Sequence, residues 1–72
     1  MDKNRTVREI ITKNKKWKVR VSAASGGTYE IQVLRWMDAG GYCFWEETGA
    51  ALRVGERSSA ELLAQKEARR LG

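Results

Sequence analysis

The sequence predicts an α+β fold: an antiparallel meander of three or four strands with a carboxy-terminal helix packed on one face, βββα or ββββα. Three observations predict it. Residues 17–21, WKVRV, alternate apolar and basic side chains with the period of a half-buried strand. Glycine pairs at 26–27 and 40–41 cut the middle of the chain into strand-length pieces. Residues 58–72, SSAELLAQKEARRLG, place Ala60, Leu63, Ala64, Ala68 and Leu71 on one helical stripe, with Leu62, Gln65, Lys66 and Arg69 opposite.

The first segment, RTVREIITK at 5–13, has two readings. Thr6 and Glu9 fit a helical capping box, with Val7, Ile10 and Ile11 on one face. The β-branched run favours a strand, which Asn14–Lys16 would turn back onto the next one. In the second strand Trp17, Val19 and Val21 share one face, and Lys16, Lys18, Arg20 and Ser22 share the other. Trp17 is expected in the core. A five-residue loop over 24–28 leads into TYEIQVLRWM and sets Val21 against Ile31 and Val19 against Val33; a slide by two strand positions sets Arg20 against Glu30 instead, and in either register the basic side chains share a face with Leu34 and Trp36. DAGG at 38–41 then separates this strand from the aromatic YCFWEET, expected to end at Gly49. Residues 50–57 either extend the sheet or form the loop into the helix. Ser58 and Glu61 have capping-box spacing, and Arg69 and Arg70 suit the negative end of the helix dipole.

Composition narrows the chemistry. Residues 1–72 make one small basic domain, and a chain of this length buries only roughly 60% of its unfolded surface, so the core is small. No apolar run approaches a membrane span and the amino-terminal residues are too polar for a secretion signal, so the expectation is a soluble cytoplasmic protein with no membrane partner. Cys43 is the single cysteine and histidine is absent, which excludes an intrachain disulfide and leaves no ordinary zinc ligand set. Cys43 is expected as a buried core thiol. Without histidine there is no imidazole base for a nucleophile, and the acids show no catalytic spacing. The expectation is a non-enzyme with no cofactor and no metal.

Net charge is +5 and unevenly spread. Residues 1–20 carry +6, residues 21–50 carry −3 and residues 51–72 carry +2. The register above puts Lys18 beside Leu34 and Lys16 beside Trp36, on a face that one helix on the opposite side cannot cover. The third strand adds either Tyr42 and Phe44 or Cys43 and Trp45 to that face. Aromatics among cations suit nucleic acid: cations neutralise phosphates while rings stack on bases. The residues expected to carry this contact are Lys13, Lys15, Lys16, Lys18, Arg20, Arg35 and Trp36, and DNA is expected in preference to RNA. The alternative is a protein-interaction module, of the kind carried by phages and mobile elements, that docks on a larger protein or forms a homodimer. A homodimer through this face would set Lys16, Lys18 and Arg20 against their own copies unless Glu30, Glu46 or Glu47 intervened.

In architecture alone, a three-stranded meander followed by a packed helix resembles the sheet-reading DNA-binding domains of plant transcription factors and the arm-binding domains of tyrosine recombinases. With a fourth strand, ββββα resembles the Whirly-type single-strand binders. The stretch GERSSAELLAQKEARRLG shares only a glycine and an alanine-rich helix with them, and no site residue is carried over.

Overall fold

The computed structural model describes residues 5–72, with Ala50 by its backbone alone. Its elements are β1 (Arg5–Ile11), β2 (Trp17–Ala23), a 3₁₀ turn (Ser25–Gly27), β3 (Tyr29–Ala39), β4 (Tyr42–Val54) and α1 (Arg57–Leu71). The four strands lie in the order β1-β2-β3-β4, every neighbouring pair antiparallel. The fold is therefore ββββα, and residues 5–11 take the strand conformation that their β-branched run favours.

The β2–β3 register is Val19↔Val33 and Val21↔Ile31, the one of the two registers allowed by alternation that the five-residue loop favours. The β3–β4 connection is the two-residue Gly40–Gly41 turn, where φ values of 58° and 99° explain why neither position carries a side chain. β4 does not stop at Gly49. It passes through a bulge between its Glu47↔Leu34 and Ala51↔Gln32 pairs and continues to Val54. Gly49 takes φ 85° in that bulge, and the Thr48 hydroxyl donates to the Val33 carbonyl at 2.9 Å.

One face of the sheet meets the helix. Val19, Val21 and Ile31 pack against Ala60, Ala64 and Ala68, with Val7, Ile10, Tyr29, Val54, Leu63 and Leu71 around them. Alanine at every fourth position lets the helix backbone settle close to the strands, so the core is thin and valine-rich. Leu62, on the opposite side of the helix, is exposed.

Three expectations are corrected. The helix starts at Arg57 with Glu56 as its N-cap, and no side chain caps it. Glu61 faces Arg57 and Arg8 instead of the Ser58 amide, with contacts of 2.9 and 3.2 Å. The hydrogen bond from Arg57, helped by both guanidinium charges against a smaller desolvation effect, holds the Glu61 carboxyl below its usual range. Cys43 is exposed rather than buried, because β4 is an edge strand and the open face has no second layer. Trp17 is half-buried and borders a surface cleft with Val33 and Leu71; the fully enclosed side chains at the centre are Val19 and Val21. No helix among the described residues is long and apolar enough to cross a membrane.

Candidate nucleic-acid interface

The register assigns the open face residue by residue. Ile11, Lys18, Leu34 and Glu47 lie in one cross-strand row, and Lys16, Trp36 and Trp45 lie in the next. Glu9, Arg20, Gln32 and Ala51 form the row on the other side. Of the two arrangements open for the third strand, the pairing Trp36↔Trp45 and Asp38↔Cys43 puts Cys43 and Trp45 on the open face. Tyr42 and Phe44 point to the helix side.

Trp36 and Trp45 meet edge to face, with ring centroids 5.0 Å apart and planes at 62°. The Lys18 ammonium lies 4.7 Å from the centroid of the Trp45 ring and 3.7 Å from a Glu9 carboxylate oxygen. Only 12% of the Lys18 side chain is exposed. The Arg20 Nε donates to the other Glu9 oxygen at 2.9 Å. Beneath this cluster Leu34 is 2% exposed, so the open face has a small apolar floor of its own.

The β1–β2 turn is held by a compact set of hydrogen bonds. The Thr12 amide donates to the Trp17 carbonyl at 3.0 Å, and the Lys15 amide to the Thr12 carbonyl at 2.9 Å. The Asn14 side-chain oxygen accepts from the Lys16 amide at 3.0 Å, the Asx-turn chemistry that asparagine brings to such loops. The helix end closes on the same turn: Asn14 Nδ2 donates to the Leu71 carbonyl, and a Cβ on Gly72 would collide with the Thr12 side chain. Lys13, Lys15 and Lys16 therefore project, exposed, from a fixed backbone, and none has an acidic partner among the described residues. Lys15 takes φ 60°, alone among the described non-glycine residues in having a positive φ.

The seven residues expected at the site thus separate. Lys13, Lys15, Lys16 and Trp36 come together at the turn end, where Ile11, Thr12, Lys13, Lys15, Trp36 and Trp45 line a cleft of about 660 Å³. Lys18 and Arg20 are on the same face but engaged with Glu9. Arg35 pairs with Trp17 in the sheet register, so it faces the helix side, where Glu46 accepts from its guanidinium at 3.3 Å.

Ile11 and Arg69 also join the neighbourhood, and Trp45 enters it as a member of one of the two arrangements open to the third strand. Ile11 is signalled by the pair Ile10–Ile11, since in a strand one of two adjacent residues must face away from the core. Arg69, exposed in the last helical turn, lines a cleft with Lys13; no local pattern brings residues 56 apart together. Among the described residues no group of Cys, Asp and Glu is placed to hold a metal ion. Comparison with protein-family models, with curated proteins and with solved structures finds no match.

Proposed function

We propose that this chain is a non-enzymatic nucleic-acid-binding module that works through the turn end of its open face. The observation that carries this reading is the set of three exposed lysines, without acidic partners among the described residues, beside a tryptophan that is 41% exposed. Lysine at a left-handed position adds support. Glycine would sit there without strain, so a side chain retained at that backbone angle points to a role for the side chain. Lys13, Lys15 and Lys16 neutralise phosphates; Trp36 supplies the apolar contact; Lys18 and Arg20 keep the face folded.

The testing experiment is a salt series of oligonucleotide binding on the wild type and on the triple variant K13E/K15E/K16E. Binding that weakens linearly in log affinity against log salt, and disappears in the variant, is expected. Equal binding by the two proteins would remove the reading.

A protein interface is the second reading, favoured by a different part of the molecule. Tyr42 is 77% exposed, and Phe44 and Leu52 are also exposed, on the helix side of β4. β4 is an edge strand, and such strands pair readily with another chain. Light scattering on wild type and Phe44→Glu separates the readings, because self-association lost in this variant with oligonucleotide binding intact assigns the two surfaces to different partners.

A further inference from the structure

The strand state of the nucleic acid follows from how the two tryptophans and the polar side chains of the open face are already engaged. Trp45 has the Lys18 ammonium over its ring, so Trp36 is the ring with room for a planar ligand. That ring borders the cleft between Ile11 and the lysine turn, and Ile11 is 53% exposed at its edge. In a duplex the faces of the bases are covered by their neighbours and only their edges are offered in the grooves. A ring beside a cleft of this kind can be stacked on by a base that is free of the duplex.

Edge reading, by contrast, uses the fixed donor and acceptor pairs of arginine, asparagine or glutamine, or lysine at guanine. On this face the arginine, asparagine and glutamine groups are occupied, and the exposed lysines of the turn are compact point charges suited to phosphates. Asn14 is built into the turn, the Gln32 amide donates to Glu47, Arg20 is held by Glu9 and Arg53 is paired with Glu30. The remaining lining of the cleft is an isoleucine, two indoles, lysines and a threonine whose hydroxyl is within 2.6 Å of the Asn14 side-chain oxygen.

Resting on the nucleic-acid reading above, we infer that the ligand is single-stranded and is bound with little base preference. An unpaired base stacks on Trp36 in the cleft beside Ile11, and the phosphates on either side of it lie against Lys13, Lys15 and Lys16. Every base has a ring face, so stacking of this kind tolerates any sequence. Three phosphate contacts to a single strand correspond to a salt slope of about −2.

The test uses the full chain and labelled oligonucleotides: single-stranded dT, dA and mixed-sequence probes of equal length and the duplex of the mixed one. Anisotropy is read across about 50 to 200 mM salt, with tryptophan fluorescence in parallel. The expected result is single strands bound about ten-fold or more tighter than duplex, the single strands within a few-fold of one another, and quenching of tryptophan emission. Trp36→Ala and Trp36→Leu both lose roughly ten-fold in affinity and most of the quenching while keeping the salt slope, and Trp36→Phe retains part of both. Thermal melting of each variant checks that it is folded; Trp36→Leu keeps apolar bulk, so its loss reports stacking. Duplex bound as tightly as single strand, or one homopolymer strongly preferred, would overturn this inference and leave the nucleic-acid reading standing. No binding of any probe at the lowest salt would overturn both.

Discussion

The two ends of the open face carry similar residues in different states. At one end Glu9 on β1 accepts from Arg20 and lies beside Lys18, and the Lys18 ammonium also covers Trp45, so the cations are spent within the fold. At the other end, one residue pair further along the same strand, Lys16 joins Lys13 and Lys15 with no acid opposite them among the described residues. In sequence the alternation of Lys16, at the end of the turn, with Lys18 and Arg20 on β2 is uniform. The difference is imposed by β1, whose Glu9 is placed across from Arg20 and whose final residue Ile11 is apolar. A basic strand is therefore not a basic surface, and its neighbour decides which charges remain for a ligand.

Both ends rest on one apolar floor, and the largest effect is expected there. Leu34→Ala should cost about 2–5 kcal/mol, since the side chain is enclosed on a face with no covering layer, and urea unfolding would measure it. A cost near zero would mean that the open-face cluster contributes nothing to the fold. Next in size is the contrast between the ends in binding. The K13E/K15E/K16E variant should lose single-strand binding, and each single Lys→Gln change at these positions should flatten the salt slope by about 0.7. Lys18→Gln should leave the slope unchanged and lower stability by roughly 1 kcal/mol, through the lost cation–π and ion-pair contacts.

Glu9→Gln sharpens the comparison from the other side, because it converts the paired end into an unpaired one. It should raise affinity for oligonucleotides and steepen the slope by about 0.7 for one added phosphate contact, at a stability cost under about 1 kcal/mol for partly exposed ion pairs. An unchanged slope would show that Arg20 and Lys18 remain held by other contacts. The smallest effect is at Lys15. Glycine there should stabilise by up to about 1 kcal/mol, because the left-handed strain is relieved against the greater entropy of an unfolded glycine. The same change should remove about 0.7 from the slope, so the thermal midpoint and binding would move in opposite directions.

Much of the fold was legible because it rests on local periodicity. WKVRV and TYEIQV alternate so strictly that the core face is fixed by the pleat, since a one-residue slip would put valines in water; the choice of Val19↔Val33 over a register two positions away rests on the turn. The stripe of Ala60, Ala64 and Ala68 announces a close-packed helix in the same way. Other features were less legible. The Ser58–Glu61 spacing suggests a capping box, but the helix begins one residue earlier and Glu61 pairs chiefly with Arg57 one turn before it and also with Arg8 on β1. Residue type places Cys43 and Trp17 in the interior, but Cys43 lies on the open face of an edge strand with no layer over it, and the exposure of Trp17 depends on how far a fifteen-residue helix reaches across a four-stranded sheet.

Local patterning is enough for the meander of residues 17–48 and the helix after it, for the two faces of β2 and β3, and for lysines and Trp36 on the face away from the helix, because side-chain alternation and turn chemistry act over a few residues. Tertiary structure alone settles that residues 5–11 pair as a strand, that Glu9 neutralises Lys18 and Arg20, that Glu46 is the partner of Arg35, and that Ile11 and Trp45 complete a cleft around Trp36. Those pairings join strands through registers and bulges that carry no local signature. Coulomb attraction between side chains falls off within a few ångströms of solvent, so it acts on whichever groups the finished sheet brings together.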